Sequence, residues 1–68
     1  MNSIKIKDDY IKLGQALKLA NLVSEGVEAK FAVLDEKVKV NGEVCTMRGK
    51  KLYSGDKVSY NGDSFIIE

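Results

Sequence analysis

The basic side chains of this sequence are concentrated in one central block. The members of this block are Lys37, Lys39, Arg48, Lys50 and Lys51. With one acid, Glu43, they give residues 37–51 a net charge of +4, whereas the whole chain carries only +1. Lysine and arginine neutralise phosphate groups and release their counterions. The block therefore predicts contact with a phosphate backbone rather than a small-molecule reaction.

Other side chains give little support for catalysis. The sequence has no histidine and one cysteine, Cys45, which excludes the usual zinc ligand sets and a Cys-His nucleophile pair. Two pairs of adjacent carboxylates, Asp8-Asp9 and Asp35-Glu36, point in different directions on any helix or strand. Neither phosphate-binding glycine motif, GxGxxG or GxxxxGK[ST], occurs. We expect no enzyme activity, no metal and no cofactor.

Length and composition predict one small domain spanning residues 1–68. A chain of this size buries only about 60% of the surface that its unfolded form exposes, which leaves little room for a deep cavity. No apolar run is long enough to span a membrane, and no signal peptide is evident. A single cysteine fits a reducing compartment. We expect a cytoplasmic monomer without membrane contact.

Two helices are predicted in the first half, after a strand over residues 3–7 with alternating isoleucine and lysine. Apolar residues recur at helical spacing over residues 11–23, where Gly14 is explained either by a close backbone approach or by simple tolerance. The second helix, residues 27–36, carries Val27, Phe31 and Leu34 on one face, with Lys30 projecting to one side of it. A short connection predicts that the helices pack as a tight pair.

The second half is predicted to form strands and hairpins. Val38 and Val40 alternate with lysines, and an Asn-Gly turn follows. A two-residue turn would put Val44 opposite Lys39, whereas a three-residue loop over residues 41–43 pairs Val40 with Val44, so we favour the longer loop. A basic loop over residues 48–51 leads to a second hairpin around residues 61–63. The fold class is α+β, with two packed helices and a small, mostly antiparallel sheet.

Five segments together resemble a known family, the αL-motif RNA-binding domain named after the fourth protein of the small ribosomal subunit (the S-four domain). Within it, the chain is similar to small free-standing bacterial members of the YaaA/YbcJ type. The segments cover most of the chain: LGQALKLA at 13–20, GVEAK at 26–30, VKVNGE at 38–43, RGKKL at 48–52 and GDKV at 55–58. The resemblance implies a domain that binds structured RNA, often ribosomal RNA, near ribosome assembly or translation. A ribosomal subunit or its precursor would then be the partner.

The resemblance also implies a set of RNA-binding residues. They lie on both helices, on the strand and turn after them, and in the basic loop: Lys18, Lys30, Lys39, Asn41, Arg48, Lys50 and Lys51, with Gln15 as a further contributor. Lys5, Lys7, Lys12 and Lys57 are interpreted as solubilising lysines. Of the tyrosines, Tyr53 beside the basic loop is the better candidate for stacking on an unpaired base, whereas Tyr60 is expected in the core.

The alternative is a protein-interaction module without nucleic-acid binding. Leu19 and Leu22 lie outside the predicted core face of the first helix and would form an exposed apolar patch. An exposed strand edge would be another docking surface. Such binding would depend weakly on salt. DNA is a less favoured partner than RNA, because no helix presents base-reading residues on one exposed face.

Overall fold

A computed structural model describes residues 2–68 and shows two helices that share one core with a five-stranded sheet. The helices are α1 (Leu13–Leu19) and α2 (Gly26–Leu34). The strands are β1 (Asn2–Ile4), β2 (Ile11–Lys12), β3 (Val38–Val40), β4 (Glu43–Val44), β5 (Lys51–Leu52), β6 (Lys57–Tyr60) and β7 (Asp63–Ile67). This confirms the predicted α+β class.

The sheet has the strand order β1-β7-β6-β3-β4, and β2 pairs with β5 in a separate ladder. Among the strand pairs of residues 2–68, only β1–β7 is parallel, so the prediction of a mostly antiparallel sheet is confirmed. Neither helix described in residues 2–68 is long and apolar enough to cross a membrane.

Both helices end earlier than the periodicity predicts, and the same backbone motif ends each one. After α1, the Leu22 N–H donates to the Leu17 carbonyl and Asn21 adopts a φ of 59°. After α2, the Lys37 N–H donates to the Ala32 carbonyl and Glu36 adopts a φ of 59°. This pattern, with one left-handed residue, is the Schellman motif, which satisfies the last carbonyls of a helix. Residues 35–36 therefore cap α2 rather than extend it.

The beginning of α1 also differs from the prediction. Ile11 and Lys12 belong to β2 and pair antiparallel with Leu52 and Lys51, so the helix begins at Leu13. The predicted apolar face of this segment is nevertheless buried, since Leu13, Ala16 and Leu17 are fully inaccessible to solvent. Helical spacing correctly identified these core residues, but it could not detect a strand whose partner lies forty residues along the chain.

The apolar face predicted for α2 lies outside the core. Val27, Phe31 and Leu34 are 60%, 60% and 55% exposed, whereas Ala29 and Ala32 are buried, together with the neighbouring valine at position 33. Small alanine side chains allow the backbones of two helices to approach closely, and α2 packs on α1 with this side. The three larger side chains form an exposed stripe.

Both hairpins use two-residue turns, so the longer loop favoured for the first hairpin is wrong. Lys39 pairs with Val44, and Val40 pairs with Glu43. Asn41 and Gly42 have φ values of 53° and 87°, as a type I′ turn requires. The same geometry recurs at residues 61–62. The two-residue turn therefore sets the pairing of β3 with β4. As a result, Val44 on the short edge strand is 47% exposed.

Candidate nucleic-acid interface

The ladder of β2 and β5 presents basic and aromatic side chains on one face. Ile11 and Leu52 pair and are buried, so the flanking residues of both strands point outward. Lys12 lies directly opposite Lys51. Beyond this pair, the ring centroids of Tyr10 and Tyr53 are 6.2 Å apart. We call this surface the ladder face; it consists of Tyr10, Lys12, Lys51 and Tyr53.

Two contacts make the ladder face a continuous surface. The Lys51 Nζ atom lies 4.8 Å from the centroid of the Tyr10 ring, which is within range of a cation–π interaction. The two tyrosine rings are tilted by 53°, an arrangement that aromatic pairs commonly adopt. Tyr10 is 36% exposed and Tyr53 is 50% exposed, so both rings remain accessible to a partner.

The basic loop is attached to the first turn of α1 by its backbone. The Leu13 N–H donates to the Lys50 carbonyl at 2.9 Å, and the Gly14 N–H donates to the Arg48 carbonyl at 3.0 Å. The first N–H groups of a helix have no partner within the helix, so the loop satisfies two of them. These bonds hold Arg48, Lys50 and the following Lys51 beside α1.

Gly14 is explained by a close approach to Arg48. A Cβ atom at this position would lie 2.9 Å from the Arg48 Cγ atom and 3.5 Å from Cδ. The arginine side chain therefore runs across the glycine, over the first turn of α1. Of the two explanations that the sequence left open, close packing is the one that the structure supports.

Lys18 joins this surface through a groove along α1. The groove is also lined by Gln15 and by Tyr10, whose ring contacts Lys51. Four residues of the predicted site thus lie on or beside α1: Lys18, Arg48, Lys50 and Lys51. All four are exposed.

The remaining predicted residues lie elsewhere. Lys39 alternates with the buried Val38 and Val40, so its side chain is on the sheet face that points away from the core. Lys30 lies on α2, next to the exposed Phe31. The RNA-binding role predicted for Lys30 and Lys39 stays a prediction.

Asn41 uses its side chain to connect two turns. Its Nδ2 atom donates to Asp56 Oδ1 at 3.1 Å, and its Oδ1 atom accepts from the Lys57 N–H at 3.0 Å. Asp56 Oδ2 in turn accepts from the Tyr53 N–H at 2.8 Å. This chain of bonds ties the first hairpin to the segment that carries Tyr53.

Sequence reasoning named Tyr10 as one of three tyrosines that could stack on a base, but it did not place Tyr10 and Lys12 on one face with Lys51 and Tyr53. The signal is a mirrored pattern, Tyr10-Ile11-Lys12 against Lys51-Leu52-Tyr53, in which an apolar residue lies between an aromatic and a basic one. Antiparallel pairing brings like residues opposite each other. The pattern is recognisable only once the two short segments are known to pair.

The electrostatics of the surface are those of solvated cations. No polar or charged residue among residues 2–68 is buried, so the lysines retain their hydration and are free to exchange it for phosphate contacts. Across the same residues, no group of three or more His, Cys, Asp or Glu side chains is arranged to hold a metal ion. The chemistry that this surface offers is anion binding and aromatic stacking.

This arrangement, with two packed helices, a hairpin sheet and a basic loop on the first helix, defines a small α+β domain of the αL type. The chain belongs to the S4 domain family, whose model matches residues 4–68. The resemblance to the S-four domain is thereby confirmed.

Two relatives and one solved structure cover most of the chain. The chain is 44% identical over 61 residues to the probable ribosome maturation protein RlbA of Bacillus subtilis, covering 90% of this chain and 86% of that protein. It is 36% identical to the putative RNA-binding protein YbcJ of Escherichia coli over 61 residues, covering 90% of this chain and 87% of that protein. The solution structure of YbcJ, described as revealing an αL motif involved in RNA binding, superposes with a TM-score of 0.76 at 32% identity. That match covers 98% of this chain and 86% of YbcJ.

Proposed function

We propose that this protein binds structured RNA through the basic surface around α1. The observation that carries the proposal is the attachment of the basic loop to α1, where two backbone hydrogen bonds hold Arg48 and Lys50 beside the helix that bears Lys18. Lys51 extends this surface to the ladder face. Because the loop backbone is already ordered, less conformational freedom of the chain is lost when these side chains bind phosphates.

The names of the relatives support a proposal about the kind of RNA. One is named a probable ribosome maturation protein and another a putative RNA-binding protein. Ribosomal RNA, in a subunit or its precursor, is therefore the proposed target, and the protein acts as a cytoplasmic, non-catalytic monomer. Lys30, Lys39 and Asn41 belong to the proposed site as outlying contacts, reached by an RNA that wraps around the domain.

The salt dependence of binding to ribosomal RNA tests this proposal. If the surface neutralises three to five phosphates of a single strand, affinity should fall by about 20- to 130-fold between 50 and 200 mM salt. Lys50→Glu should weaken binding and flatten this slope, because it reverses a charge on the basic loop. A slope that is flat for the wild type would refute the proposal.

Lys57→Glu is the matched control, since it makes the same charge change on β6 at an exposed position outside the proposed site. It should reduce affinity far less than Lys50→Glu. If both variants bind as weakly as each other, the effect is one of net charge, and the proposed surface is wrong.

The exposed stripe on α2 favours a second candidate function, docking onto a protein. Val27, Phe31 and Leu34 are each more than half exposed, as is Leu19 of α1. Contiguous exposed apolar side chains are typical of interaction surfaces. Binding through this stripe would be insensitive to salt and to Lys50→Glu, but it would be lost with Phe31→Asp.

A further inference from the structure

A groove of about 500 Å³ lies between the segment after β1 and the exposed side of α1. Its volume falls within the range of about 300–1,000 Å³ that is typical of small-ligand sites. The groove is amphipathic: Ile6, Ile11 and Leu19 provide apolar lining, and Lys5, Lys7 and Lys18 provide three positive charges against the single acid Asp8. A ligand that fits this lining has an apolar part next to an anionic part.

Tyr10 supplies the aromatic component of the groove. Tyr10 is one of the lining residues, and its ring contacts the Lys51 ammonium group and the Tyr53 ring. Stacking of a nucleobase on an aromatic side chain contributes substantially to single-strand binding and tolerates any base. The cation beside the ring adds to this attraction, since guanidinium and ammonium groups also interact with π-faces.

Gln15 supplies a group that can read a base edge. This residue lines the groove on the α1 side, and its amide can both donate and accept hydrogen bonds. In a duplex, the base faces are stacked and the pairing edges are occupied, so neither contact could form. Bases in loops, bulges and single strands have an open face for stacking and a free edge for hydrogen bonds.

We propose that this groove binds one unpaired nucleotide of a bound RNA. The base stacks on Tyr10 and faces Gln15, while Lys5, Lys7 and Lys18 hold the adjoining phosphates. This inference rests on the proposed function and adds a subsite to it, formed by the segment of residues 5–10 that precedes α1. It gives Lys5 and Lys7, which the sequence marked as solubilising, a direct role in binding.

The test compares two RNA hairpins that differ only in one bulged nucleotide, replaced by the fluorescent base 2-aminopurine. The wild type should bind the bulged hairpin more tightly and quench the fluorophore. Tyr10→Ala should weaken binding to the bulged hairpin by about 5- to 150-fold, the loss expected for one stacked base, with little change for the paired hairpin. Tyr10→Phe, which retains the ring, should bind like the wild type.

The roles of Lys5 and Lys7 are tested by the slope of log affinity against log salt concentration. Each phosphate contact to a single strand contributes about 0.7 to this slope, so Lys5→Ala and Lys7→Ala should each reduce it by that amount on the bulged hairpin. Lys57→Ala, outside the groove, should leave it unchanged. Both lysines are exposed, so these variants should fold even if Tyr10→Ala does not.

Three outcomes would overturn the inference. Equal wild-type affinity for the two hairpins without quenching, while steep salt dependence persists, would remove the subsite and leave the proposed function intact. Saturable binding of free AMP that is lost in Tyr10→Ala, together with equal affinity for the two hairpins, would make the groove a site for free nucleotides instead. Failure of the wild type to bind either hairpin or ribosomal RNA would remove both proposals.

Discussion

The side-chain amide of Asn41 donates to the carboxylate of Asp56 at 3.1 Å, joining the Asn-Gly turn of the first hairpin to the turn before β6. The amide oxygen simultaneously accepts from the Lys57 N–H. These bonds give a physical reason for the joint presence of the VNGE and GD segments in the sequence, since each supplies one partner. They also hold Tyr53, whose N–H donates to the same carboxylate.

Asn41→Ala should lower the free energy of unfolding by about 1–2 kcal/mol, because it removes a hydrogen bond to a charged group and places alanine at a φ of 53°. Asp56→Ala should have a similar effect. Urea unfolding of the two variants and the double variant gives the coupling energy, expected at about 0.5–1.5 kcal/mol. Strictly additive effects would show that the bond contributes nothing to stability.

The close contact between Gly14 and Arg48 leads to a prediction about affinity. Gly14→Ala should displace the arginine side chain, since the new Cβ atom would approach Arg48 Cγ to 2.9 Å. Arg48 is exposed and can move, so stability should change by less than about 1 kcal/mol. RNA affinity should fall as much as it does in Arg48→Ala, as measured by titration at fixed salt. Gly49→Ala, where a Cβ atom meets nothing within 4 Å, is the control.

The sequence predicted the elements of the fold better than their partners. Helical spacing located the buried residues of α1, and the Asn-Gly pairs located both hairpin turns. The β2–β5 ladder was missed because its pairing depends on residues far apart in the chain. The face of α2 was misjudged because periodicity weighs large apolar side chains over alanines, whereas close helix packing favours the alanines.

For the candidate site too, the sequence predicted individual residues better than their neighbours in the fold. The basic loop was evident from charge alone, but its docking on α1 follows from backbone hydrogen bonds that no local pattern encodes. Strand alternation correctly indicated that the Lys39 side chain points away from the core, between the buried Val38 and Val40. The contribution of Tyr10 depends on the ladder and on the groove, and both require the folded chain.

The left-handed conformation of Glu36 predicts a stabilising substitution. A residue with a side chain at this φ of 59° is strained by about 1–2 kcal/mol, and glycine removes that strain at some cost in unfolded-state entropy. Glu36→Gly should therefore raise stability by about 0.5–1 kcal/mol. A rise in the melting temperature of about 2–8 °C would be the readout. Glu36→Ala removes the same charge without relieving the backbone, and a similar rise in that variant would rule out strain as the cause.

The exposed stripe of α2 makes a further prediction about stability. Phe31→Ala should change the free energy of unfolding by less than about 1 kcal/mol, because the ring is 60% exposed. Leu17→Ala, at a fully buried position, should cost about 2–5 kcal/mol, a large share of the stability of a domain this small. Chemical denaturation of both variants checks the contrast. If the two variants lost comparable free energy of unfolding, the exposed stripe would have to be covered in solution.

Lys12 and Lys51 face each other across the ladder, and like charges in this position destabilise paired strands. Their opposition lowers stability but concentrates positive charge next to the tyrosines, where a phosphate would relieve the repulsion. Lys12→Glu should therefore stabilise the protein by about 0.2–1 kcal/mol and weaken RNA binding at the same time. Thermal melting and RNA titration of this variant and of Lys12→Gln, which only removes the repulsion, measure the two effects. The glutamine variant should lie between the wild type and Lys12→Glu in both. If Lys12→Glu gains stability and keeps full affinity, the ladder face lies outside the RNA-binding surface.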